Sequence, residues 1–274
     1  MDLYTRLSFD IARMTMRRYS TSFSRSSALF PAHTRRHIYA IYGLVRVADE
    51  IVDSYHEKNA GTLLDELERD VSRAITFGYS ANPIVHAFAQ TSRTYGITKE
   101  LVEPFFASMR MDLTPQTYTK KLYETYIYGS AEVVGLMCLR VFTEGDDAKY
   151  EALEKGARHL GAAYQKVNFL RDLASDSKEL GRFYFPGYTL DTFDESAKQD
   201  VVADCRNDLK HAAAVIDDLP KNARRATRLS SRYYSALLHE LEKTPIEVIK
   251  EKRVRIDNFR KTLLRVTPPR KRAS

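Results

Sequence analysis

Gln165-Lys-Val-Asn168-Phe-Leu-Arg171-Asp172-Leu-Ala-Ser-Asp176 is the stretch from which the rest of the chain is read. On a helix each residue turns about 100°. Gln165, Asn168, Asp172 and Asp176 therefore share one narrow stripe, and Gly161 extends it by a turn. A core helix would carry leucines there, and a surface helix would not be flanked by Val167, Phe169 and Leu170. A line of acceptor oxygens on a half-apolar helix marks a cation site facing a cavity.

A second stripe has the same build. In Tyr39-Ala-Ile-Tyr42-Gly-Leu-Val-Arg46-Val-Ala-Asp49-Glu50-Ile-Val-Asp53, the residues Tyr42, Arg46, Asp49 and Asp53 share a face. Asp49 and Asp53 repeat the spacing of Asp172 and Asp176. Two such helices facing each other would make a carboxylate-lined mouth for divalent metal. A lone acidic pair at i and i+4 is ordinarily a solvated helix face; two matching pairs inside apolar helices are not so easily placed there.

Outward from the stripes the periodicity is helical throughout. Helices are expected over 2–19 (Leu3, Leu7, Ile11, Met14 in register), from Pro31 to about 55, and over 60–78. Others are expected from Pro83 to 95, over 98–113 with a kink or break at Pro104, and over 116–142 and 146–180. The last three cover 193–216, 221–242 and 244–262. Tyr19-Ser-Thr-Ser-Phe23-Ser-Arg25-Ser-Ser reads as a loop, because dense hydroxyls compete for backbone hydrogen bonds; it is either a plain connection or a phosphate-binding one. Gly181-Arg182-Phe183-Tyr184-Phe185-Pro186-Gly187 reads as an aromatic loop. Tyr128-Gly129-Ser130-Ala131-Glu132-Val133-Val134-Gly135 is rich in small residues, which suits tight helix packing or a ligand pocket. The expectation is all-α, about ten helices around a central cavity, with one domain over 1–265 and a basic flexible tail over 266–274.

A chain of 274 residues with 43% hydrophobic and 29% charged residues is ordinary for a soluble globular protein. Its net charge of +7 fits anionic partners or simple solubility. Two cysteines, Cys138 and Cys205, form no disulfide framework and no metal spacing. No apolar run reaches the roughly 18 residues of a membrane span. The N-terminus has no signal core, and a cytoplasmic location is expected. No Gly-rich phosphate loop follows a strand, which leaves no nucleotide fingerprint. Interleaved acids and the lack of an aromatic–basic platform exclude nucleic acid.

Paired carboxylates suit magnesium, which takes oxygen ligands and is completed by substrate phosphates. Arg46 and Arg171 beside the acids fit a diphosphate, since arginine grips phosphate through paired donors. Metal and arginine around a diphosphate stabilise a leaving group. The rest of the substrate would lie in the apolar interior, where Tyr and Phe faces could stabilise a carbocation.

At these residues the chain resembles the squalene/phytoene synthase family of head-to-head isoprenoid synthases. The resemblance runs from Tyr19 to about Arg260. It rests on Ser20-Thr-Ser-Phe23-Ser, Tyr42…Arg46…Asp49…Asp53, Gln165…Asn168…Arg171-Asp172…Asp176 and Gly181-Arg182-Phe-Tyr184-Phe-Pro186. It implies an all-α isoprenoid synthase fold. It implies that Asp49, Asp53, Asp172 and Asp176 bind magnesium–diphosphate, with Asn168 a further metal or diphosphate contact and manganese able to substitute. Ser20, Ser22, Tyr42, Arg46 and Arg171 match positions around the diphosphates, and Tyr234 and Arg253 match C-terminal contacts. Phe23, Ala131, Val134, Gly135, Gly161, Tyr164 and Gln165 match cavity positions. Glu50, Lys166, Glu132 and Tyr164 depart from the commonest residues; Lys166 and Glu132 are expected in solvent and Tyr164 to narrow the cavity.

The resemblance implies condensation of two isoprenyl diphosphates through a cyclopropylcarbinyl diphosphate. Phytoene from two geranylgeranyl diphosphates comes first, with the closest wording in bacterial phytoene synthases. Squalene or dehydrosqualene from two farnesyl diphosphates is the alternative, and a non-catalytic helical assembly factor is the alternative of another class. No NADPH is expected. The basic run Lys250-Glu-Lys-Arg-Val-Arg255 and the tail Arg270-Lys-Arg272 predict peripheral association with anionic membrane.

Overall fold

Asp2 opens the first helix: its carboxylate accepts from the Thr5 amide at 2.9 Å. Helix α1 then runs Leu3–Tyr19. The computed structural model describes residues 1–55 and 58–266, so all but the first residue of the expected tail over 266–274 lies outside the described residues. The remaining helices are α2 (Thr21–Ser27), α3 (Ala32–Asp53), α4 (Ala60–Phe77), α5 (Pro83–Tyr95), α6 (Lys99–Met111) and α7 (Lys120–Ile127). A π-helical turn follows (Tyr128–Glu132), then α8 (Val133–Phe142), α9 (Asp147–Lys178), α10 (Glu195–Ile216), α11 (Lys221–Lys243), α12 (Ile246–Glu251) and α13 (Asn258–Val266). No strand occurs among the described residues.

The all-α expectation holds, with thirteen α-helices where about ten were read. The added ones arise at three places. The serine-rich segment is not a loop: Ser20 turns from competitor to cap, accepting from the Phe23 amide at 3.1 Å and starting α2. The segment expected as one helix over 116–142 starts at Lys120, after the Thr119 cap. It is then interrupted by the π turn at Gly129. A Cβ there would lie 2.3 Å from the Pro104 carbonyl, so only glycine admits α6 this closely. Pro104 itself neither breaks nor ends α6. The segment over 244–262 is two helices, α12 and α13, joined by extended chain that carries Arg253. Val266 ends α13 rather than opening a tail.

Helix α1 corrects a simpler reading of pattern. Leu3, Leu7 and Met14 are 80%, 50% and 59% exposed, while Phe9, Ala12 and Met16 are buried. At the point of closest approach the inner face needs a small side chain, because Gly43 of α3 faces Ala12; a Cβ at 43 would sit 3.4 Å from the Ala12 Cβ.

Two apolar cores result. One is built from α1, α3, α4, α5, α6 and α8. The other is built from α9, α10, α11, α12 and the aromatic loop after α9, where Phe169 stacks on Tyr184 at 4.2 Å and Phe185 on Phe193 at 4.6 Å. Phe23 packs against both. A cavity of about 930 Å³ lies at this seam, lined chiefly by α3, the π turn with α8, α9 and α11.

Candidate active site

Helices α3 and α9 carry their acidic ends to the same end of the cavity. Tyr42, Arg46, Asp49 and Asp53 line it from α3; Gly161, Tyr164, Gln165, Asn168, Arg171, Asp172 and Asp176 line it from α9. Ser20, Ser22 and Phe23 of α2 and its cap, Ala131, Val134 and Gly135, Tyr234 and Arg253 complete the wall. Every residue given a metal, diphosphate or cavity role from the sequence therefore lines one cavity.

The charges at the mouth are unevenly matched. Arg182 pairs with Asp53. Arg171 donates to Asp172 through Nε at 2.9 Å, and Arg253 forms a salt bridge with the same carboxylate at 2.7 Å. Arg46 pairs with Glu50 and comes no nearer to Asp49 than 3.8 Å. Asp176 makes no salt bridge among the described residues. Burial, then the Asp53 charge, pushes Asp49 up to about 8; its 32% side-chain exposure opens on the cavity. Burial, then the Asp172 charge, pushes Asp176 up to about 8. Each stripe thus holds one aspartate gripped by arginine and one whose charge is resisted.

This donor set fits magnesium. The ligands are oxygens, on two helices, crowded by like charge that a cation would relieve. Among the described residues no three His, Cys, Asp or Glu side chains form a ready cage. Asp49, Asp53, Asp172 and Asp176 are the residues that would hold it.

Behind the mouth the wall is aromatic. Tyr164 lies flat on Tyr234, centroids 3.7 Å apart and planes at 13°, and donates to Ser230 at 2.9 Å. Tyr234 donates to Asn168 at 3.3 Å. Phe23 sits 5.9–6.2 Å from Tyr42, Tyr164 and Tyr234. Burial pushes the Tyr42 phenol up to about 12, so these rings stay neutral. Further in, the lining is Leu139, Leu153, Val215, Ile216 and Leu219, with Phe30 and Phe142 stacked at 5.2 Å. From Asp172 to Leu153 the cavity follows α9 for nineteen residues, about 28 Å.

Two expectations change here. The small residues do not simply leave room: a Cβ at Gly161 would lie 2.6 Å from the Ala131 carbonyl, so that glycine serves close helix packing while its edge lines the cavity. Ala162 and Ala163, next along α9, are buried in the second core. Lys166 and Glu132 are not in solvent. Lys166 keeps 12% side-chain exposure between Asp204 and Asp208, and Glu132 keeps 16% against Arg158.

The structure adds residues that the sequence reading left without a role. Asp112 at the end of α6 accepts from Tyr126 at 2.6 Å and from Tyr184 at 2.9 Å. Burial lifts its carboxyl to about 6, against the pull of Arg182. Arg182 donates to the Val52 and Asp112 carbonyls at 2.7 and 2.9 Å. It reaches them because Gly181, at φ +65°, reverses the chain after α9. The motif Gly181-Arg182-Phe-Tyr184 was the available signal. Asp112 had none, since a single aspartate after Met111 carries no pattern.

Comparison with known proteins places the chain in a family. A family model described as squalene/phytoene synthase matches residues 16–260. The chain is 27% identical over 206 residues to a 4,4'-diapophytoene synthase of Staphylococcus haemolyticus, covering 73% of this chain and 70% of that one. It is 31% identical over 210 residues to a 15-cis-phytoene synthase of Synechocystis sp., covering 73% of this chain and 61% of the relative's length. The fold matches a squalene synthase from Alicyclobacillus acidocaldarius with TM-score 0.77 at 23% identity, over 89% of this chain and 96% of that one.

Proposed function

The chain belongs to the squalene/phytoene synthase family, and from that membership we propose that it is a phytoene synthase. The reaction is condensation of two geranylgeranyl diphosphates, head to head, through a cyclopropylcarbinyl diphosphate. One observation carries this reading: two aspartate-bearing helix faces meet at one end of a cavity whose remainder is aromatic and apolar. Substrates with a diphosphate head and a hydrocarbon tail match that division.

Bound magnesium would neutralise the diphosphate and help it leave. The chain's own residues do the rest. Arg46, Arg171, Arg253 and Lys261 face the mouth and grip phosphate oxygens. Phe23, Tyr42, Tyr164 and Tyr234 present ring faces to the allylic cation and exclude water from it. Ring closure releases a proton. Tyr126 lines the cavity; its oxygen takes that proton while its own passes to Asp112, 2.6 Å away. The second ionisation and rearrangement end in loss of another proton, so no NADPH is consumed.

The twenty-carbon substrate is favoured by the length of the cavity along α9 and by the similarity to the cyanobacterial phytoene synthase. The staphylococcal relative, named for 4,4'-diapophytoene, favours a second reading: two farnesyl diphosphates giving dehydrosqualene. Incubation with equal farnesyl and geranylgeranyl diphosphates and magnesium, without reductant, separates them. Forty-carbon hydrocarbon should predominate. Thirty-carbon product would replace the substrate, and no hydrocarbon at all would overturn the head-to-head reading.

A further inference from the structure

Asp172 is held by two guanidinium groups at once. Arg171 reaches Oδ1 through Nε at 2.9 Å and Oδ2 through a terminal nitrogen. Arg253 reaches Oδ1 through Nε at 2.7 Å and Oδ2 through a terminal nitrogen at 3.4 Å. A carboxylate offers about four lone-pair directions. Guanidinium nitrogens therefore cover both oxygens, and a divalent cation that coordinates Asp172 has to displace one of the two arginines.

The two arginines differ in freedom. Arg171 sits on α9 beside Asp172 with 22% side-chain exposure. Arg253 is 44% exposed and stands on the extended segment between α12 and α13. Arg253 is thus the one that can go, and a phosphate group offers its fork an equal or better partner.

We propose that Arg253 is a lock on Asp172 that a diphosphate opens. Without the anion, Asp172 is closed to metal. When diphosphate enters, Arg253 transfers to it and Asp172 becomes free to coordinate. Metal and diphosphate then bind with positive coupling, each tightening the other by the same factor. The inference rests on the diphosphate and metal reading of the mouth given above.

The test uses manganese ion alone and inorganic pyrophosphate alone, on the full chain. Free Mn²⁺ is followed by electron paramagnetic resonance during titration of wild type, Arg253→Gln and Arg255→Gln. Arg255 also lines the cavity, and among the described residues Asp172 forms its salt bridges with Arg171 and Arg253, not with Arg255, so Arg255→Gln measures the general effect of removing one positive charge. Arg253→Gln should bind Mn²⁺ at least about fivefold more tightly than Arg255→Gln does. In chelator, calorimetry should show Arg253→Gln losing at least about fivefold in affinity for pyrophosphate. Equal Mn²⁺ affinity in the two variants would overturn the lock while leaving the family reading intact. Failure of the wild type to bind Mn²⁺ and pyrophosphate even when both are present would overturn the reading of the mouth, and the lock with it.

Discussion

The guanidinium of Arg182 pairs with the carboxylate of Asp53, 129 positions earlier in the chain. Three elements meet there: the C-terminal end of α3, the C-terminal end of α6 and the loop after α9. Arg182 is 8% exposed and also satisfies the Val52 and Asp112 carbonyls. Its removal leaves two carbonyls unpartnered and the buried Asp112 carboxyl without a cation. Breaking a buried pair from one side costs about 3–5 kcal/mol, so Arg182→Ala should lose about that much in urea unfolding. A loss below about 1 kcal/mol would show that the pair behaves as a surface contact.

Activity should require divalent metal. Asp49→Asn, Asp53→Asn, Asp172→Asn and Asp176→Asn each remove one oxygen donor's charge from the mouth. Loss of one such electrostatic contact typically lowers kcat by roughly 10²–10³-fold. Product formation from radiolabelled geranylgeranyl diphosphate, with and without EDTA, measures it. Undiminished turnover in EDTA, or in a folded Asp172→Asn protein, would remove metal from the mechanism.

How much of this was readable beforehand depends on which interactions repeat in sequence. The two stripes recur every four residues on single helices, so Asp49, Asp53, Asp172 and Asp176 were legible and do share one mouth. Asp112 and Arg182 act together from distant segments: the motif around Arg182 was visible without its partner, and nothing local announces Asp112. Hydroxyl density at 20–27 pointed to a loop because isolated propensity disfavours helix there. The Ser20 cap and the packing of Phe23 against two cores overrode it. The apolar register of α1 gave the right helix and the wrong face, because the close approach to Gly43 admits Ala12 and not leucine.

Tyr126→Phe should separate binding from chemistry. The ring and its packing against Phe169 and Tyr184 remain, and only the hydroxyl facing Asp112 is lost. Positioned proton transfer contributes typically 10²–10⁴-fold. The variant should therefore lose on the order of 10²-fold in kcat with KM little changed. A change confined to KM would assign Tyr126 to substrate positioning.

Stability should fall as pH drops from about 6.5 to about 4, and His37 should account for part of the loss. Arg36 Nε donates to His37 Nε2 at 3.1 Å, so Nδ1 carries the proton and donates to Thr91 Oγ1 at 2.9 Å. Burial, then the Arg36 charge, holds the imidazole down at about 4 from its usual 6.5. The unfolded chain takes its proton first, so the folded state is penalised progressively below pH 6.5 and fully below about 4. The shift corresponds to about 3 kcal/mol. Urea unfolding at pH 7 and 4.5 should show a smaller loss for His37→Gln than for the wild type. Parallel losses would mean that the carboxylates alone govern the acid limb.

The segment over 250–266 should bring the protein to anionic membrane. No helix among the described residues is long and apolar enough to cross one. Lys250, Lys252, Arg253, Arg255, Arg260, Lys261 and Arg265 stand there against Glu251 and Asp257. Phe259, on α13, is 80% exposed, and Arg255 and Lys261 line the cavity. The basic surface and the exposed ring thus flank the place where a diphosphate with a long tail would enter from a bilayer. Each basic residue near an acidic surface is worth about 1 kcal/mol, decaying within a Debye length. Some of these cations already serve internal partners: Arg260 pairs with Glu240, and Lys261 donates to Thr21 at 2.8 Å. The attraction should therefore fall well short of the full sum and vanish at high salt. In flotation at low salt, vesicles containing phosphatidylglycerol should recover the protein, and pure phosphatidylcholine vesicles should not. Phe259→Ser should lower recovery without altering turnover of detergent-dispersed substrate. Equal recovery with both lipids would leave the exposed ring and its basic surroundings without a membrane role.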